Sequence, residues 1–199
     1  YLNQTFGPLR LDGLQELQGH MAAWPRNRPL LCHAEGLSVA AAVMVATLQD
    51  RPVHICHVSR REEIAVIRAA RERGVTVTCE VAPHHLFLTE DDMGVLGRGR
   101  CEVRPRLNTA ADQDALWQGI TDGVIDCVAS DHAPHTLAEK EGKTPPPGFP
   151  GLETTLALML GAVREGRLTQ DQLVALMHTN PARIFHVAAQ PQTTVEIDP

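Results

Sequence analysis

Apolar residues recur along this chain in two alternating rhythms. Over residues 11–24, Leu11, Leu14, Leu17 and Met21 fall at helical spacing and Pro25 ends the run, which predicts an amphipathic helix. Pro29-Leu-Leu-Cys-His33 predicts a short buried strand, residues 38–48 an alanine-rich helix, and Pro52-Val-His-Ile-Cys-His-Val58 a second strand, apolar enough to be covered on both faces. Ser59-Arg60-Arg61-Glu62 has the pattern of a capping box and opens a helix that ends at Gly74, after which 75–81 is a third strand. Thr109 with Asp112 caps a helix running to about Thr121, and 124–130 is a fourth strand. A loop over 131–151 holds Pro145, Pro146, Pro147 and Pro150, too proline-rich for regular structure and too long to be only a connector. Helices follow over 152–163 and 169–178, the second opened by Thr169-x-x-Gln172.

Strands alternating with helices predict βαβ units and a parallel sheet, either open and doubly wound or closed into a barrel. A complete (β/α)₈ barrel takes about 250 residues. With 199 residues and four such strands, the chain reads as α/β, the C-terminal half of a TIM-like (β/α)₈ barrel, while a complete doubly wound domain stays open on length alone. No Gly-x-Gly-x-x-Gly or Walker sequence opens any of these helices, which weakens a nucleotide-binding reading.

Composition narrows the partners. The apolar fraction of 43% and charged fraction of 21% are those of an ordinary globular protein, and the net charge of -6 is spread along the chain. Neither a nucleic-acid groove nor a polybasic membrane patch has support, and no stretch approaches the length of a membrane span. The five cysteines form an odd set without a Cys-x-x-Cys pair, each in or beside an apolar run, so reduced, buried thiols and a cytoplasmic location are expected. The chain begins with Tyr1 and lacks the start of a signal peptide, which points to a piece of a longer polypeptide.

The polar residues at strand ends carry the candidate chemistry. His33 closes the first strand, His57 the second, Glu80 the third and Asp131 the fourth, each beside the loop that would build the C-terminal rim of a barrel. Side chains at successive strand ends converge, and imidazoles with a carboxylate suit Zn²⁺, which activates water at neutral pH. Taken singly, each histidine also reads as a hydrogen-bonded core residue. His54 alternates differently from His57 and is assigned to packing or to the other face, and His84 and His85 follow Pro83 in a loop, where structural hydrogen bonding competes with ligation.

Ser130-Asp-His-Ala-Pro-His135 together with Gly148-Phe-Pro-Gly-Leu-Glu-Thr154 resembles the dihydroorotases of the amidohydrolase superfamily, and Cys79-Glu-Val-Ala-Pro-His-His85 with Glu102-Val-Arg-Pro105 strengthens the likeness. The similarity extends to the dihydroorotase domain of animal multifunctional pyrimidine-synthesis proteins through Leu2-Asn-Gln-Thr-Phe6 and Thr144-Pro-Pro-Pro-Gly-Phe149. This resemblance implies a zinc-dependent cyclic amidohydrolase that interconverts L-dihydroorotate and N-carbamoyl-L-aspartate. It implies metal ligation by His33, His57 and Asp131, with Asp131 also the proton shuttle, and a further zinc associated with Cys56 and Glu80. It assigns Arg104 to the substrate carboxylate, His135 to a second substrate contact, the Pro147 backbone to the dihydroorotate ring, and Thr5 and Phe6 to the tip of a closing lid. For Arg104 a surface ion pair is the plain alternative, and for Cys56 and Glu80 a buried thiol and a rim carboxylate.

The family also requires a His-x-His pair and a carbamylated lysine, and neither matches a position here, since Lys140 and Lys143 sit in the late loop. Residues 1–190 are therefore expected to form a partial barrel lacking its first strands, inactive in isolation, with 191–199 starting a following strand or linker. Neighbouring pyrimidine-pathway domains, a homo-oligomer and no nucleic-acid or membrane partner go with this reading. Two other readings stay open: another cyclic amidase, either dihydropyrimidinase or allantoinase, and a noncatalytic dihydroorotase-like scaffold.

Overall fold

The computed structural model describes residues 2–3, 11–189 and 191–197. Strand and helix alternate through the first part: β1 (Leu2–Asn3), α1 (Leu11–Ala23), β2 (Leu30–His33), α2 (Leu37–Leu48), β3 (Val53–Ile55), α3 (Arg61–Glu72) and β4 (Val77–Val81). Two short helices, α4 (Pro83–Phe87) and α5 (Met93–Leu96), precede α6 (Ala110–Thr121) and β5 (Cys127–Val128). A one-turn helix, α7 (Leu137–Lys140), interrupts the proline-rich loop before α8 (Gly151–Arg164). Then α9 (Gln170–Val174) passes through a π-helical turn (Ala175–Thr179) into α10 (Asn180–Phe185). Among the described residues no helix is long and apolar enough to cross a membrane.

Among the described residues the five strands are all parallel and lie in the order β1-β2-β3-β4-β5. That order decides between the two architectures left open by length. A doubly wound sheet reverses its strand order at a switch point, whereas a barrel adds each strand to the same side of the last. This sheet never reverses, and it is therefore part of a barrel wall.

The two faces of the wall differ as the pleat requires. Leu30, Cys32, Val53, Ile55, Val77, Cys79, Val81 and Val128 join Leu17, Met21, Val39, Ile64, Ile67, Leu116 and Met159 of the helices in one buried cluster. Alternate residues, among them His33, His54, Thr78, Glu80 and Cys127, take the opposite face, toward the barrel interior. Hence β4 alternates between buried and half-buried positions. The second predicted strand is shorter than its apolar run, and only 127–128 of the fourth is regular, because the residues that follow turn away to form the rim.

Caps fix where the helices begin. Thr109 and Asp112 form the predicted capping box, as do Thr169 and Gln172. The box expected at Ser59 and Glu62 is instead built one residue later. Glu63, 2% exposed, accepts the amides of Ser59 (2.9 Å) and Arg60 (3.1 Å), and on its other oxygen that of Gly36 (2.6 Å). One buried carboxylate thus ties the loop after His33 to the loop after His57. In Glu63→Gln the side-chain amide would face backbone donors instead of accepting from them. With at least one buried N–H unmet, a loss of about 2 kcal/mol is expected, read as a lowered unfolding midpoint and faster hydrogen exchange at Gly36. Wild-type exchange at Gly36 would refute this role.

The other end of the wall is held by Asp126, which pairs with Arg71 and accepts the Cys79 amide (2.8 Å) while Arg71 also donates to the Val77 (2.8 Å) and Gly123 (3.1 Å) carbonyls. All five cysteines are free and buried. Residues 191–197 carry turn and irregular backbone.

Candidate functional site

His33 and His57 meet at the C-terminal ends of β2 and β3. Nε2 of His57 lies 2.8 Å from Nδ1 of His33, and the rings stand edge to face with centroids 4.2 Å apart. His57 falls just beyond β3 with φ 34°, a left-handed conformation that costs a residue with a Cβ. The kink turns its ring out of the strand's alternation and onto His33. Burial and the neighbouring imidazoles push the His57 pKa down to about 3, and burial also lowers that of His33. The His57 ring is thus neutral at ordinary pH; the bond between the rings engages one lone pair, and Nδ1 of His57 is buried without a hydrogen-bond partner. Such a donor set fits a metal.

Asp131 is the second strained residue, at φ 45°. What holds it is a backbone seam. His132 and Phe149 form a parallel bridge, the Ala133 amide donates to the Phe149 carbonyl (2.9 Å), and the Leu152 amide donates to Nδ1 of His132 (3.1 Å). The approach leaves no room for side chains. A Cβ on Gly148, whose φ is 145°, would stand 2.5 Å from the Ala133 carbonyl oxygen, and one on Gly151 2.2 Å from that of Ser130. The two motifs of the resemblance, around Asp131 and around Gly148-Phe-Pro-Gly151, are one structural unit. Burial, then the charge of Glu80, pushes the Asp131 carboxyl up.

Asp131 faces His84, with Oδ2 at 3.9 Å from Nε2. The predicted ligands His33, His57 and Asp131 are not drawn to a common point: among the described residues they form no group with ligand atoms within 4.8 Å of one another. His84 and His85 lie on α4 rather than in a loop, both buried. His84 stacks on Phe149 (4.9 Å between centroids), and Nε2 of His85 donates to the Pro105 carbonyl (3.1 Å) beside the cis Arg104–Pro105 peptide.

The substrate-side residues sit on two loops pinned together by Lys140. Arg104 makes an ion pair with Glu102 (2.5 Å) and donates to the Val103 carbonyl (3.0 Å), so the plain alternative for it is present in the structure. Pro147 and His135 are exposed. Lys140 is buried, and its Nζ donates to the carbonyls of Glu102 (2.6 Å), Pro146 (3.0 Å) and Gly148 (3.0 Å), clamping the Arg104 loop to the Pro147 loop. Sequence reasoning missed this lysine, because a lysine in a polar loop reads as solvated. Thr5 and Phe6 lie outside the described residues.

A second cluster lies on the interior face below the rim. Cys56 and Glu80, paired by the resemblance, are near enough that, after burial, the Glu80 charge helps to push the Cys56 thiol up. Glu80 also takes His54, its Oε2 3.0 Å from Nε2, while Nδ1 of that ring is 2.8 Å from the Thr78 hydroxyl. His54 is fully buried, with Phe185 edge-on at 5.0 Å. The expectation that His54 is packed holds, and only its alternative placing on the other face is corrected. It shares a face with Thr78 and Glu80, and His57 was the wrong reference because it lies outside the strand. Cys127 completes the group, paired in register with Glu80. The legible signal was alternation itself, which puts residues 54 and 56 on one side.

No protein-family model matches the sequence. The chain is 54% identical over 198 residues to the Multifunctional protein CAD of Squalus acanthias, covering all of this chain and 9% of that protein. To the Dihydroorotase of Lactiplantibacillus plantarum it is 44% identical over 155 residues, 76% of this chain and 36% of that enzyme. Among solved structures, the inactive dihydroorotase-like domain of the Chaetomium thermophilum CAD-like multifunctional protein superposes with TM-score 0.76 at 29% identity, over 92% of this chain and 51% of that one. The chain thus spans a small part of its multifunctional relatives, about a third of the single-function one and half of the matched domain. By sequence along its whole length the chain is related to a segment of the CAD-type multifunctional proteins, and by sequence over about three quarters of its length to the dihydroorotases, with a barrel fold that agrees.

Proposed function

We propose that this chain supplies the C-terminal half of the barrel of an active dihydroorotase, interconverting N-carbamoyl-L-aspartate and L-dihydroorotate in pyrimidine synthesis. The observation that carries the reading is the seam between 130–133 and 149–151, which holds strained Asp131 at the same rim as the His33–His57 pair. Residues 1–190 belong to the barrel and 191–199 lead on from it.

Zinc held by His33, His57 and Asp131, two ions in the complete site with a further one associated with Cys56 and Glu80, would polarise the ring carbonyl and activate water when bound. The protein's own part is positioning and proton transfer. Asp131, raised by burial toward a poised pKa, takes a proton from the attacking water and delivers it to the leaving ring nitrogen. Arg104 leaves or shares its ion pair with Glu102 to hold the substrate carboxylate with its planar fork. His135 gives a second contact, the Pro147 backbone meets the ring, and Thr5 and Phe6 close over it. Neighbouring pathway domains, homo-oligomerisation and a cytoplasmic setting go with this function.

The test uses the full-length protein and follows zinc-dependent loss of dihydroorotate. Arg104→Ala is expected to lower kcat/KM roughly 10- to 100-fold, the worth of a charged hydrogen bond. Equal loss with an uncharged dihydropyrimidine would instead point to another cyclic amidase. Likeness to an inactive domain keeps a scaffold as the second reading. Absence of turnover in a folded, zinc-loaded full-length protein would favour it.

A further inference from the structure

Arg104, which the proposed function gives to the substrate carboxylate, already holds a carboxylate. Its Nη1 lies 2.5 Å from Oε1 of Glu102 and donates to the Val103 carbonyl (3.0 Å). We propose that Glu102 is a specificity-determining residue of this reaction, an internal competitor whose carboxylate must give up the Arg104 guanidinium before a substrate carboxylate can take it. The proposal rests on the dihydroorotase reading and deepens it, since that reading gives Glu102 no task of its own.

The pair is more than a solvated surface contact. The side chains of Arg104 and Glu102 are 24% and 23% exposed, so water screens their charges only in part. Nor can Glu102 drift out of reach. Its carbonyl accepts from the Gly148 amide (2.9 Å) and from Nζ of Lys140 (2.6 Å), and its own amide donates to the Gly99 carbonyl (3.2 Å). These bonds all use the Glu102 main chain, so its side chain can be changed while they stay. A carboxylate tethered in this way competes at the high effective concentration of an intramolecular partner.

Two opposing effects set the sign. Glu102 occupies the guanidinium and repels an incoming carboxylate, which weakens binding. It also holds the guanidinium in one orientation, which spares the substrate the cost of ordering it. Ordering one long side chain is worth at most about 10-fold, whereas like charges brought to one half-buried guanidinium oppose each other more strongly. Competition is the larger effect. A ligand without a carboxylate meets a neutral pair, has nothing to exchange, and binds with the same affinity whether Glu102 is charged or not.

The test uses the zinc-loaded full-length protein and reads two quantities: KM for dihydroorotate, and Kd for orotate, which carries the same carboxylate on an unsaturated ring. Glu102→Gln, which keeps the shape and removes the charge, is expected to lower both about 5-fold, the upper end of what a partly exposed ion pair is worth, with no gain in kcat. Glu102→Ala should shift both in the same direction, which decides the matter if the glutamine variant fails to fold. In an Arg104→Ala background Glu102→Gln should lose most of its effect, because no guanidinium is left to compete for. Burial lowers the Lys140 pKa and the Glu102 charge partly offsets this, so hydrogen exchange over 141–149 is followed too and is expected to stay at the wild-type rate. Unchanged affinity in Glu102→Gln would overturn the proposal. So would a raised KM, which would make Glu102 a residue that orients the fork, or an equal gain in the Arg104→Ala background. A wild-type protein without turnover whose orotate affinity still rises in Glu102→Gln would sink the dihydroorotase reading alone, and normal turnover with unchanged affinity would sink this proposal alone.

Discussion

Replacing Asp131 with alanine in the full-length protein is expected to cut dihydroorotate turnover by at least about 10²- to 10⁴-fold, the range for a positioned general acid–base group. Two features of the structure make the effect large. The left-handed backbone at Asp131 is maintained by a seam of main-chain bonds that the substitution leaves intact, so the fold should persist while the carboxylate is lost. Burial and the Glu80 charge also raise this carboxyl, bringing it nearer the working range of a proton shuttle than a solvated aspartate would be. Asp131→Asn preserves shape and some capacity to hold a cation but cannot take the proton. It should therefore lose turnover almost as fully while retaining more metal than Asp131→Ala. A folded Asp131→Asn protein with near-normal turnover would remove Asp131 from the chemistry.

Lys140→Met is expected to lower kcat/KM about 100-fold, the scale of loss when reacting groups are displaced by about 1 Å. Methionine matches the aliphatic stem, but the ammonium disappears together with its place over the Phe149 ring and its bonds to Glu102, Pro146 and Gly148. Those carbonyls belong to the two loops that carry Arg104 and Pro147. The Lys140 backbone is itself held in place, packed so closely on Gly99 that a Cβ there would stand 2.0 Å from the Lys140 carbonyl oxygen. Lys140 acts through the residues it positions, so the loss should fall on KM as well as kcat. Metal content and the unfolding of the barrel wall should change little. Local opening should appear as faster hydrogen exchange over 141–149. Unchanged kinetics, or a uniform loss of structure and metal, would show that the clamp does not position substrate.

Candidates for the site could be named from the sequence because they obey a rule of position. Barrel chemistry gathers at the C-terminal ends of strands, so His33, His57, Glu80 and Asp131 could be picked out by finding where each apolar run stops. What could not be read was which way each side chain turns. His57 looks like one more strand residue, yet its positive φ re-aims it onto His33, and His54, two places before Cys56, was set aside by counting from the wrong neighbour. Register is likewise invisible in a single strand: that Glu80 lies opposite Cys127, and His54 opposite Thr78, is decided only when the strands pair.

The sequence by itself determined the alternation of strand and helix, the caps at Thr109 and Thr169 and the rim positions, because these follow from short-range patterns of burial and local hydrogen bonding. Tertiary structure alone decided the unreversed strand order that makes the sheet a barrel wall. It also decided the Glu63 and Lys140 ties between distant loops and the gathering of His54, Glu80 and Cys127 on the interior face. Each of these depends on groups far apart in the chain, whose contact costs chain entropy and is set by how elements pack, a quantity no local window of residues contains.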